Sequence, residues 1–160
     1  MIGRIAGAIA VAATAPAVLA QNLVCRDISS AAPVPDVRFE TDVLPIIEDG
    51  FLGCTSCHGF SGNLSLDQGA ETHGNLFCAD TQGSVPVPAG KRVVPGAPLN
   101  SWLYLRVACD DVDDIDFRMP RGGVLLTTSE LRVIYDWISQ GALIADDVFV
   151  DGFEVAGTCP

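Results

Sequence analysis

Cys54, Cys57 and His58 have the types and the spacing to do chemistry together. Each of two thiols three positions apart can add to one vinyl group of a single porphyrin. The histidine directly after the second thiol then falls under the ring plane, where its imidazole can ligate iron. C-x-x-C-H is the attachment signature of c-type haem, so the implied cofactor is covalent haem c and the implied chemistry is one-electron redox. Other readings of the same residues exist. A C-x-x-C pair can be a small-loop disulfide or a thioredoxin-type redox pair, but the surrounding sequence has no βαβ pattern. Cys54, Cys57, His73 and Cys78 could also make a four-ligand zinc set. Haem accounts for His58 as well as the thiols, and zinc thiolates are unusual in oxidising compartments.

Six-coordinate iron needs a second axial group, for which Met and His are the usual choices. The chain has two methionines, Met1 and Met119, and two histidines, His58 and His73. Met1 lies in a leader expected to be removed, so Met119 is the expected distal ligand. It sits in the Gly/Pro loop Phe117-Arg118-Met119-Pro120-Arg121-Gly122-Gly123, where backbone can approach a ring edge. A lone methionine is more often core filler, but core methionines normally sit on a helix or strand face. His73 as ligand, or an open site, are the alternatives. The expected cofactor-binding residues are therefore Cys54, Cys57, His58 and Met119, with His58 and Met119 on the metal. No Ser/His/Asp set and no phosphate-binding glycine loop is present, and no catalytic residue is assigned: an electron carrier stands ahead of a catalyst.

Residues 1–20 read as a signal peptide. Arg4 precedes an Ala/Ile/Val run from Ile5 to Leu19, and small residues end it at Ala20. The run is marginal as a membrane span, and no later segment is apolar enough to be one. Cleavage would remove one arginine and no acid, taking the formal charge from −11 to −12. A chain this acidic should bind neither nucleic acid nor an anionic membrane surface, and it suits partners with basic docking surfaces. The run Asp110-Asp111-Val112-Asp113-Asp114-Ile115-Asp116 reads as a solvated loop or as a docking patch for such a partner. As a calcium loop it lacks the required Gly and Glu. Six cysteines follow the leader, and two are spent if haem is attached. The even remainder implies an oxidising compartment, periplasmic or secreted, and two disulfides. Cys78–Cys109 and Cys25–Cys159 are the expected pairs.

The elements that must position these groups are short. Residues 21–38, with Ala31-Ala32-Pro33-Val34-Pro35, read as an extended N-terminal segment. Val43, Ile46 and Ile47 repeat at helical spacing, with Asp42 as a cap and Pro45 in the first turn, and this helix ends at Gly50. Residues 59–97 form a long irregular stretch, for which wrapping a planar cofactor is one reason. Asn100-Ser101 can cap a helix from Trp102 to about Cys109, on which Trp102 and Tyr104 are core or haem-wall residues. Thr127-Thr128-Ser129-Glu130 is a capping box. The helix behind it places Leu131, Ile134, Tyr135 and Ile138 on one face with Trp137 at its edge, and Gly141 stops it. Residues 144–160 form an acidic tail.

The motif order is helix, C-x-x-C-H-G, Leu64-Ser65-Leu66-Asp67, Val94-Pro95-Gly96-Ala97-Pro98 with Ser101-Trp102-Leu103-Tyr104, Arg118-Met119-Pro120, then Leu126-Thr127 through Gly141-Ala142. It resembles the planctomycete-type cytochrome c-like domain, a branch of the small monohaem c-type cytochromes, over residues 39–143. The resemblance implies an all-α cytochrome c-like fold, with Cys54 and Cys57 thioether-linked, His58 proximal and Met119 distal. Cys78, Cys109 and the insert around residues 75–92 depart from the pattern. Two functions of other classes remain as alternatives: a haem enzyme or sensor with an open distal site, and a zinc- or disulfide-stapled structural module.

Overall fold

The computed structural model describes residues 24–49, 53–59, 61–81, 90–110, 118–122, 124–144 and 159. The expected signal peptide, most of the acidic run, Gly50 and most of the C-terminal tail lie outside the described residues.

The protein is helix-rich, with one small two-stranded sheet among the described residues. Five short α-helices of the described residues follow in order: α1 Leu44–Glu48, α2 Cys54–Cys57, α3 Thr72–Leu76, α4 Trp102–Ala108 and α5 Thr128–Ser139. The strands are β1 Val24–Cys25 and β2 Cys109–Asp110, paired antiparallel. No helix of the described residues is long and apolar enough to cross a membrane.

α5 organises the core. Its capping box is formed on both sides: Thr127 Oγ1 accepts from the Glu130 N–H, and Glu130 accepts from the Thr127 N–H. Leu131, Ile134, Trp137 and Ile138 are buried. Trp137 is therefore at the centre of the packed face, not at its edge, and Tyr135 takes the half-buried edge. The reason is the entry segment. Phe39 packs its ring 5.3 Å from Trp137, and the Trp137 indole N–H donates to the Leu143 carbonyl at 2.9 Å. Gly141, at φ +103°, makes the turn that brings residues 142–144 back along Phe39. The Phe39 N–H then bonds Leu143 O at 3.0 Å.

The first helical stretch begins earlier than the periodicity implies. Phe39–Val43 forms a wide π-turn that leads directly into α1. Pro45 has no N–H to give, and its ring crowds the carbonyl four residues back, which a wider turn relieves. Asp42 accepts the Arg38 N–H at 2.8 Å, holding the chain at the start of that turn. The extended N-terminal segment docks on α5 through side chains. Buried Asp136 accepts the Val34 N–H at 2.7 Å, and Gln140 accepts the Val37 N–H at 2.8 Å.

Ahead of α4, Val94-Pro95-Gly96-Ala97 makes a tight turn, with the Ala97 N–H on Val94 O and Gly96 at φ +74°. Ser101 stands at the N-cap position of α4 but does not cap it. Its buried hydroxyl instead accepts the Val94 N–H at 2.8 Å and donates to Ala97 O at 3.0 Å, tying the turn to the helix.

Four of the six cysteines form two disulfides, in a pairing other than the expected one. Cys25 joins Cys109, and Cys78 joins Cys159. The β1–β2 register sets Cys25 directly opposite Cys109, which takes Cys109 from Cys78. Cys78 donates its N–H to Val93 O at 3.0 Å, and Cys159 Sγ lies 3.8 Å from the same carbonyl. Each bridge thus ties a segment near one end of the chain to the helical core. Disulfide-bonded cysteines fit a protein outside the cytosol.

Candidate functional site

Cys54 and Cys57 are the free cysteines, and they are the first and last residues of α2. At i and i+3 on one helical turn they share a side of the helix. Cys54 is partly buried, and that burial pushes its thiol pKa up, with Cys57 adding to the rise. Cys57 is exposed.

His58 ends this turn, its N–H on Cys54 O at 2.9 Å. The chain then folds back over it. Gly62 at φ +70° turns the loop 61–63, and Leu66 N–H bonds His58 O at 2.6 Å. This reversal puts the Ser61 carbonyl 2.8 Å from His58 Nδ1. A carbonyl can only accept, so Nδ1 carries a proton, and in the neutral ring Nε2 keeps its lone pair. That is the orienting bond typical of ligating histidines, made to a backbone oxygen.

Cys54, His58 and Met119 line one hollow, whose walls are Leu64, Leu66, Leu76, Trp102, Leu103 and Val107, with Arg92 and Arg106 among them. Met119 reaches it because its N–H bonds Arg106 O at 2.8 Å, near the end of α4. The structure therefore gathers three of the four sequence-assigned residues around one apolar space. Cys57 lies outside that lining.

The hollow encloses about 110 Å³, below the range of about 300–1,000 Å³ usual for small-molecule sites. A second hollow of about 310 Å³ adjoins it, sharing Cys54 and continuing from Met119 to Pro120, Val124, Leu125 and Leu126. A porphyrin would need more space than the first hollow alone offers. The donor set suits such a group: two thiols, one imidazole nitrogen with a free lone pair, one thioether and apolar walls.

The alternative zinc set is not assembled. Cys78 is bonded to Cys159, and His73 Nε2 is 2.7 Å from Ala142 O. The His73 ring lies in the aromatic core, stacked on Phe77 at 5.1 Å and edge-on to Phe39 at 5.2 Å and Trp137 at 5.9 Å. Among the described residues no three His, Cys, Asp or Glu side chains gather as a metal site. The same engagement takes His73 away from the hollow that Met119 lines.

Trp102 is a wall residue, as its helical position suggests, whereas Tyr104 is core, edge-on to Tyr135 at 5.3 Å. Sequence reasoning did not single out Arg92 and Arg106. Arg106 was within reach of it: four residues after Trp102, it shares that face of α4, and its guanidinium lies 5.6 Å from the Trp102 ring. Nothing local marks Arg92, which lies in the irregular stretch. No family model matches the chain, and no curated protein or solved structure matches it either.

Proposed function

We propose that this chain is an exported monohaem c-type cytochrome, related to the planctomycete-type cytochrome c-like domain, that carries single electrons between partner proteins. The observation that carries the reading is His58. Its Nδ1–H is committed to the Ser61 carbonyl, and its ring borders the same apolar hollow as Cys54 and Met119. A histidine following C-x-x-C by chance has no reason to be held in the ligating tautomer beside a thiol and a thioether.

When bound, haem supplies the one-electron Fe(II)/Fe(III) couple. Cys54 and Cys57 would hold it as thioethers, His58 through Nε2 and Met119 through its sulfur. The chain's own contributions are distinct. The Ser61 carbonyl raises the donor strength of His58 through Nδ1–H. The Met119 thioether is a soft donor that favours the reduced metal and raises the potential. The leucine, valine and tryptophan walls would give the ring apolar contacts. The net negative charge suits donors and acceptors with basic patches, whose encounter it would accelerate. Two disulfides and the N-terminal pattern support export to the periplasm or medium.

The test is expression of the full chain with a haem c maturation system, followed by mass and visible spectrum. The mature protein should carry one haem that survives acid–acetone extraction. Cys54→Ser with Cys57→Ser should abolish attachment. A colourless protein carrying stoichiometric zinc would overturn the proposal, and ready carbon monoxide binding by the native protein would favour a haem enzyme or sensor instead.

A further inference from the structure

We propose that Arg92 is a positioning residue for His58, holding the loop whose carbonyl fixes the imidazole. The inference rests on the ligating role of His58 proposed above.

His58 does not choose its own orientation. Its Nδ1 partner is Ser61 O, in a turn of exposed residues that contains two positive-φ positions, Gly62 at +70° and Asn63 at +49°. Such a turn has little packing of its own to keep it in place. Arg92 supplies the anchor. One guanidinium nitrogen donates to Asn63 O at 2.7 Å, and the other donates to Asn75 O at 2.7 Å. The first carbonyl is two residues from Ser61, and the second belongs to α3. Asn75 adds a parallel tie, its side-chain N–H on Ser65 O at 3.0 Å. The loop carrying the His58 acceptor is thus strapped to α3 by a planar fork that a lysine cannot reproduce. Arg92 also lines the hollow and is half-buried, and burial lowers its pKa against the opposing pull of Asp80. It nonetheless stays charged at any working pH, so both bonds are charge-assisted.

The experiment follows the His58 ring proton by NMR in the purified full-length protein with ¹⁵N-labelled histidine. Arg92→Met keeps the aliphatic stem and removes both hydrogen bonds. Exchange of Nδ1–H with solvent should become at least about tenfold faster, the scale of one lost charged hydrogen bond, while α5 amides keep their rates. In the haem-bearing protein the potential should rise, because a weaker Nδ1–H bond makes imidazole a poorer donor. Arg92→Lys should fall between the two, and it carries the test if Arg92→Met does not accumulate. Asp80→Asn, which alters charge beside Arg92 but none of these bonds, should leave the ring proton unchanged. Wild-type exchange in both Arg92 variants would overturn the proposal. Acceleration of the ring and α5 by one common factor would do the same, since that is global destabilisation. If the protein carries no haem, the cytochrome reading fails, while the ring proton still reports on Arg92.

Discussion

Removing the Cys25–Cys109 bridge should reduce stability heavily and disturb the far side of the candidate site. The bridge closes a loop with a sequence separation of 84. With a closure entropy of about −2.1 − 1.5R ln n cal/mol/K, a loop of that length corresponds to about 4.5 kcal/mol at 25 °C. Native bridges commonly deliver somewhat less, so Cys25→Ala with Cys109→Ala should lower the unfolding free energy by roughly 2–4.5 kcal/mol. That is a large share of the roughly 5–15 kcal/mol of a typical domain. Alanine is the right replacement because Cys109 is buried and a serine hydroxyl there would need a partner. The local consequence follows from chain order. Cys109 directly follows α4, and the Arg26 N–H bonds Ala108 O at 2.8 Å across the same junction. α4 carries Trp102, Leu103, Arg106 and Val107 to the hollow, and the Arg106 carbonyl holds Met119. Loosening that end should therefore weaken Met119 ligation before global unfolding. The assay is guanidinium unfolding of the haem-bearing protein, followed in parallel by far-UV circular dichroism and by the methionine–iron absorbance. A loss under about 1 kcal/mol, or peptide mapping that joins Cys78 to Cys109, would refute the reasoning.

Met119→Ala should lose the methionine–iron band, lower the potential and open the iron to carbon monoxide or cyanide, whereas Met119→His should restore six-coordination at lower potential; a wild-type spectrum in Met119→Ala would remove Met119 from the site. Thr127→Ala should cost about 1 kcal/mol of stability through loss of the α5 cap, read as a shift in denaturation midpoint at unchanged slope. The haem-free chain should lose stability as pH rises past the ordinary thiol value of 9.0. Burial raises the folded-state pKa of Cys54, so its contribution is complete below the unfolded value and disappears as pH climbs through the folded one. Thioether formation abolishes that titration, so the attached form should lack this part of the alkaline loss, while Tyr104, also raised by burial, contributes to both forms. Equal alkaline profiles for the two forms would contradict the assignment of Cys54.

Several features are written locally and were legible as such. The capping box at Thr127 and Glu130 needs only residues three apart in the chain, and its helix follows. Cys54, Cys57 and His58 are adjacent, so their chemistry is visible without a fold. Met119 was singled out because the composition offers one methionine outside the expected leader. What the chain could not show locally is pairing over long separations. Cys78 was the expected partner of Cys109, and only the β1–β2 register, a contact between residues far apart in sequence, decided for Cys25. His73 stayed an alternative ligand in the sequence, and only Phe39, Phe77 and Trp137 around its ring, from three separate elements, took it out of reach. Trp137 looked like an edge residue because periodicity describes one helix alone, whereas burial depends on what packs against it. The same physics hides Arg92: its two acceptors are backbone carbonyls at positions 63 and 75, which every residue type carries, so no side-chain pattern announces them. Sequence determined the reactive groups and the strongest helix; tertiary structure decided which groups share a space, because hydrogen bonds and burial act through space and not along the chain.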